Sequence, residues 1–234
     1  MNSTIRLDKC LTINYGFSRK EAGTIIRKGR VTVNGSVCKD VALKVSPEDF
    51  IEFEGGQLDV VTEKTKRYFM IYKPKGCVCS NDDPQNPIVL SLLEESSGLF
   101  CVGRLDLDTE GLLLITDDGA WSHRITSPKK SHPKTYEVWL ADDCSADAEK
   151  LFAEGVLLRG EKTPTRPAVL KILEPRHVLL TITEGRYHQV KRMFAFTGNR
   201  VVGLKRLSVG NITLDKDMQP GEYRKLTPEE CAEF

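Results

Sequence analysis

The 234-residue sequence has no apolar run approaching the roughly 18 residues that a membrane helix needs, which removes a membrane from its expected partners. Its opening residues, MNSTIRLDKC, lack the apolar stretch that exports a protein, so a cytoplasmic location is expected. Cysteine is present but unorganised. The seven cysteines, at 10, 38, 77, 79, 101, 144 and 231, are odd in number and scattered, which argues against a disulfide framework and suits a reduced compartment. The one close pair, Cys77-Val-Cys79, has no second pair at zinc spacing, and no metal site is expected. Net charge is nearly missing too, since 34 basic and 33 acidic residues leave +1. Internal repeats and low-complexity segments are absent. What remains is an ordinary globular composition, 40% hydrophobic and 29% charged, with length for one large domain or a large and a small one.

Charges that cancel over the whole chain are separated along it. Residues 1–44 carry nine Lys and Arg against three acids, and residues 186–206 carry six against none. Residues 123–136 add Arg124, Lys129, Lys130 and Lys134 unopposed, while acid gathers at 48–59, 106–118 and 142–154. Separate basic stretches on a neutral chain point to local surfaces for a polyanion, the alternative for each being a solvated face with no partner.

The first sixty residues read as two short helices leading into a hairpin. Leu7, Cys10 and Leu11 share a helical face. Ser18 and Glu21 have capping-box spacing, Ala22, Ile25 and Ile26 form the next apolar face, and Gly29 follows as a helix stop. Val31-Thr32-Val33 alternates as a strand before the hairpin signal Asn34-Gly35. Residues 55–66, GGQLDVVTEKTK, lack periodicity, open on two glycines and are read as connecting sequence. Beyond them, strands are expected at 68–72, 112–116, 135–140, 156–158, 168–173 and 178–183, and helices near 88–94, 119–125, 145–154 and 188–197. Strands outnumber helices and their connections are too short for repeated crossovers, so the expected class is α+β on a mainly antiparallel sheet.

The densest chemical constellation is 101–119, CVGRLDLDTEGLLLITDDG. Gly103 and Gly111 flank Arg104, Asp106, Asp108 and Glu110, and glycines beside a charged loop permit close approach of a ligand or another backbone. The residues alone leave three readings open. A carboxylate held ionised by a nearby cation could act on a substrate, the three acids could hold magnesium, or the stretch could be a plain acidic turn.

Two resemblances narrow these readings. R-L-D-K at 6–9, S-R-K-E-A at 18–22 and I-R-K-G-R-V-T-V-N-G at 26–35 resemble the small RNA-binding domain named after the fourth protein of the small ribosomal subunit, over about residues 5–52. G-R-L-D-L-D-T-E-G-L-L at 103–113 resembles the signature loop of the RsuA-type pseudouridine synthases. Y-K-P-K-G at 72–76, W-S-H-R-I-T-S-P at 121–128, K-T-Y-E-V at 134–138 and E-G-R-Y-H-Q-V-K-R-M-F at 184–194 agree in order, as does the tail at 212–227. The resemblance implies an RNA-binding domain at 1–58, a linker at 59–66 and a catalytic domain of the pseudouridine synthase fold at 67–234.

It also implies an isomerase that detaches a uracil from its ribose and rejoins it through carbon 5. Carried over by motif, Asp106 is the catalytic carboxylate, Tyr136 stacks on the uracil and relays the carbon-5 proton, and Lys191 keeps Asp106 anionic. Many relatives have arginine where Lys191 stands, and a lysine cannot make the same bidentate fork. RNA contacts are expected from Arg6, Lys9, Arg19, Lys20, Arg27, Lys28, Arg30, Arg104, Arg186 and Arg192, with no metal or organic cofactor. His123 and His188 are expected to make local hydrogen bonds or RNA contacts, and Asp108 and Glu110 to shape the loop. The implied partner is ribosomal RNA, either 16S RNA or a partly assembled small subunit, and the implied product is one pseudouridine of the position-516 type, made by a monomer. The alternatives are the same reaction on 23S RNA, a non-catalytic assembly factor, and a magnesium-dependent nuclease built on Asp106, Asp108 and Glu110.

Overall fold

Met1–Lys66 and Arg67–Phe234 form separate units in the computed structural model, which describes residues 4–60 and 66–234. In the first unit, β1 (Ile5–Arg6) runs into α1 (Leu7–Tyr15), and α2 (Arg19–Arg27) follows. Ser18 starts α2 through a reciprocal cap: its hydroxyl accepts the Glu21 amide at 3.2 Å and its own amide donates to the Glu21 carboxylate at 2.7 Å. Gly29, at φ 70°, turns the chain out of the helix. β2 (Val31–Val33) and β3 (Ser36–Cys38) make the expected hairpin, with Asn34 and Gly35 both at positive φ. β4 (Lys44–Val45) pairs with β1, while β5 (Ile51–Phe53) and β6 (Gly56–Leu58) extend the hairpin into a sheet of order β3-β2-β5-β6.

That last strand corrects the reading of 55–66 as connecting sequence throughout. Gly56–Leu58 pairs with Ile51–Phe53, and Leu58 and Val60 are buried with Leu7, Leu11, Ile26 and Val31. Three residues of β6 are too few to show a period, and one is glycine. Residues 61–65 of the expected 59–66 linker lie outside the described residues.

The second unit is α+β. Its strands are β7 (Tyr68–Lys73), β8 (Phe100–Val102), β9 (Glu110–Thr116), β10 (Lys134–Leu140), β11 (Val169–Glu174), β12 (His177–Ile182), β13 (Val201–Val209), β14 (Ile212–Thr213) and β15 (Tyr223–Lys225). The helices are α3 (Gly119–Thr126), α4 (Ala148–Glu154), α5 (Gln189–Phe196) and α6 (Pro228–Ala232). Sheet order is β11-β12-β10-β13-β9-β7-β15, with β14 on β13 and β8 on β9, and only the β13–β9 pair is parallel. β7 and β9 are buried on both faces. Phe69, Ile71, Leu113 and Ile115 point to one core with Val138, Phe152 and Phe194, and Met70, Tyr72, Leu112 and Leu114 to another with Trp121 and Ile125. This is why both strands read as unbroken apolar runs rather than alternating ones.

Two expected elements differ. Residues 156–158 form no strand: Val156 bonds to Thr165 alone, through its amide to the hydroxyl at 3.0 Å and its carbonyl to the amide at 2.8 Å. Residues 88–94 yield only a single 3-10 turn, Val89–Leu92.

Candidate active site

Residues 103–109 form the loop from β8 to β9. Gly103 enters it at φ 74°, and the Thr109 amide closes a turn on the Asp106 carbonyl at 3.1 Å. The loop is tied down through its backbone by Lys73, the last residue of β7. The Lys73 ammonium is fully buried and donates to the carbonyls of Pro74 (3.0 Å), Asp106 (3.1 Å) and Thr109 (2.8 Å). Burial pushes its pKa below the ordinary lysine value, and nearby negative charge, that of Asp106 and Asp108 included, only partly offsets this. Sequence reading assigned Lys73 no role, although Y-K-P-K-G carried it.

Asp106, with its side chain 30% exposed, meets the Lys191 ammonium at 3.0 Å. Lys191 comes from the first turn of α5 and also pairs with Asp108. Burial draws its pKa down, but the bonds and charges of Asp108 and Asp106 outweigh it and the value is raised. Burial likewise drives the Asp108 carboxyl up, and Lys191 outweighs that, holding it below the usual carboxylate range. Asp108 is therefore a second anchor for Lys191, not only a loop-shaping residue. The departure from arginine has a geometric sense: one ammonium with three donors reaches two carboxylates. His188, N-cap of α5, places Nε2 3.5 Å from Asp106 Oδ1, in a left-handed conformation (φ 46°) with its ring stacked on the exposed Tyr187. Glu110 turns away to Lys75 (3.2 Å) and the Tyr72 hydroxyl (3.0 Å), so the three carboxylates read as possible magnesium ligands do not converge.

Asp106, Lys191 and Tyr136 line one cleft of about 610 Å³, a volume suited to a nucleotide. Tyr136 lies on β10, opposite Leu180 of β12 and Arg206 of β13, and is 8% exposed. Arg206 and Lys134 share the cleft. Arg206 donates from Nε to the Leu112 carbonyl at 2.8 Å, and Lys134 donates to the His132 carbonyl at 2.9 Å. Cys79 accepts the Leu105 amide at 3.3 Å, and the Cys101 thiol donating to it lowers its pKa.

The expected RNA contacts divide into exposed and internally engaged groups. Arg19, Lys20, Arg27 and Lys28 are exposed at the two ends of α2, Arg30 is exposed and paired with Glu54, and Lys9 is half-buried. Arg6 clamps Asp8 at 3.0 and 2.8 Å. In the second unit Arg104 is exposed on the cleft wall. Arg186 donates to Glu184 (3.1 Å) and to the carbonyls of Thr163 (2.8 Å) and Pro164 (2.6 Å). Arg192 binds Glu161 (3.0 Å) and the carbonyls of Tyr187 (3.0 Å) and Arg159 (2.7 Å). Both forks thus tie residues 159–164 to the start of α5, a structural task that the sequence did not reveal.

Residues 67–196, more than half of the chain, match the family model described as RNA pseudouridylate synthase. The chain belongs to that family. Residues 5–51 of the synthase match the S4 domain. It is 52% identical over 230 residues to the Escherichia coli (strain K12) protein named ribosomal small subunit pseudouridine synthase A, covering 97% of this chain and 99% of that one. The protein of the same name from Yersinia pestis is 51% identical over 230 residues, covering 97% of both chains. A solved structure described as a crystal structure of pseudouridylate synthase matches the synthase with a TM-score of 0.72 and 49% identity, over 98% of this chain and 99% of that one. The synthase is therefore an isomerase acting on RNA, with an S4 domain ahead of its catalytic domain.

Proposed function

We propose that the synthase converts one uridine of bacterial 16S ribosomal RNA, of the position-516 type, in free RNA or a partly assembled small subunit. The observation that carries the catalytic assignment is the 3.0 Å contact of Lys191 with Asp106 inside the cleft that Tyr136 also lines. The small-subunit assignment is supported by relatives of that name matching at 51–52% identity over 97% of the chain. The target uridine leaves its stack at a cost of a few kcal/mol and enters the cleft. Asp106, paired with Lys191, attacks the sugar or base or stabilises charge as the bond to the sugar breaks. Tyr136 offers its ring to the detached uracil and relays the carbon-5 proton. A walled cleft matters, because an escaped base would leave an abasic site.

The S4 domain serves as a clamp. The exposed cations of α2 grip phosphates, which position an RNA without choosing its bases. Joining this domain to the catalytic domain in one chain raises the local concentration of RNA at the cleft. The enzyme works as a monomer, in the cytoplasm, without a cofactor. The test is pseudouridine mapping on unmodified 16S and 23S RNA, each incubated with wild type and Asp106→Asn. One new site in 16S, lost in the variant and insensitive to EDTA, is the expected result. A site only in 23S would move the substrate, and no site in either with binding retained would leave an assembly factor.

A further inference from the structure

Lys134 and Arg206 line the same cleft as two cations that no carboxylate offsets. Lys134 lies two residues before Tyr136 on β10, and Arg206 is the register partner of Tyr136 on β13. Arg206 is 4% exposed and Lys134 half-buried, and among the described residues neither forms an ion pair. Holding two like charges together away from water is costly and needs a reason. Burial, and after it the charge of Arg206, pushes the Lys134 ammonium down to about 8. Its other neighbours give no relief: β12 brings Ile182 and Thr181, and its own strand brings Tyr136. The carboxylates of the cleft wall are committed elsewhere, Asp106 to Lys191, Glu184 to Arg186, and Asp83 to the amides of Gln85 and Asn86. The low-pKa thiol of Cys79 feels Lys73 and Arg206.

We propose that Lys134 and Arg206 hold the negative charge of the uracil ring during the interval when it is detached from its sugar. This rests on the function proposed above. When the bond from ribose C1′ to N1 breaks, its electron pair leaves with the ring and is shared among N1, O2 and O4. The ammonium and guanidinium N–H groups donate to that anion. A bond then forms from C5 to C1′, the C5 proton departs and N1 takes up a proton, so atoms and electrons balance. Cations already in place for charge that exists only after cleavage speed the reaction without tightening RNA binding. A backbone phosphate is the other anion such a pair could take. Arg206 argues against it, because the residue is only 4% exposed and stands opposite Tyr136, where a flipped base and not the RNA chain would lie.

Single-turnover rates and RNA affinities of wild type, Lys134→Met and Lys134→Arg decide the matter. Lys134→Met should lose about 100-fold in the rate of pseudouridine formation while keeping its RNA affinity and a wild-type thermal melt of the catalytic unit. Lys134→Arg should recover most of that rate. Its activity should also persist above pH 8, where wild type declines as Lys134 loses its proton. An unchanged rate in Lys134→Met, or weakened RNA affinity with the chemical step intact (as a phosphate contact would give), would overturn the proposal. So would alkaline declines that coincide in wild type and Lys134→Arg. A wild type inert on every RNA removes the proposed function and this inference together, whereas an active wild type indifferent to Lys134 removes only the inference.

Discussion

Three lysines around one cleft are set apart by what each touches. Lys191 meets two carboxylates, Lys73 three carbonyls, and Lys134 one carbonyl while feeling the charge of Arg206. Their pKa values move accordingly, Lys191 up and the other two down. Lys191, its pKa raised, keeps its charge until pH passes the ordinary lysine value, so its pairing cannot set a decline near pH 8. Lys73→Met should leave the Asp106 and Thr109 carbonyls without their donor. At about 1.5–3 kcal/mol per charged hydrogen bond, the variant should melt at lower temperature and isomerise more slowly. An unchanged thermal melt of the full chain would contradict this. The pairing of Asp106 with Lys191 was legible because both stand in recognisable motifs. Lys73 was not, because a lysine at the end of an apolar strand reads as its solvent end. What buries it is a carbonyl 33 residues further on.

At the scale of elements, the apolar runs of β7 and β9 announced themselves, and the longest strand of the second unit did not. β13, VVGLKRLSV, breaks alternation with Gly203 and the adjacent cations Lys205 and Arg206, yet it lies mid-sheet between β10 and β9. Its place depends on glycines that let backbones close in. A Cβ on Gly111 would stand 2.3 Å from the Arg206 carbonyl oxygen, at a φ of 107° that other residues avoid. Gly111→Ala should therefore cost about 1–3 kcal/mol from backbone strain alone, with the overlap added. It should lower the denaturant midpoint and displace Arg206. A midpoint equal to wild type would show that β9 and β13 are not held as described. Such close approaches are invisible to periodicity, since a glycine in a strand signals weakness as readily as tight packing.

At the scale of the molecule, each unit has its own core, and in the proposed function the first holds RNA while the second does the chemistry. Replacing the exposed Lys20 and Arg27 with alanine should weaken binding to cognate and unrelated RNA alike. It should reduce the salt dependence of affinity by about one counterion per lost phosphate contact. Single-turnover rates at saturating RNA should not change. A shift in the modified site would instead give the S4 domain a part in choosing the base. The central position of β13 has a last consequence, in the order of synthesis. A growing chain displays β7 to β9, then β10 to β12, as two half-sheets with an empty place between them. Asp106 stands beside one half and Tyr136 on the other. Only when Val201–Val209 emerges and fills that place do they come to share a wall. If Asp106 and Tyr136 act together as proposed, the enzyme stays silent for nearly the whole of its own translation.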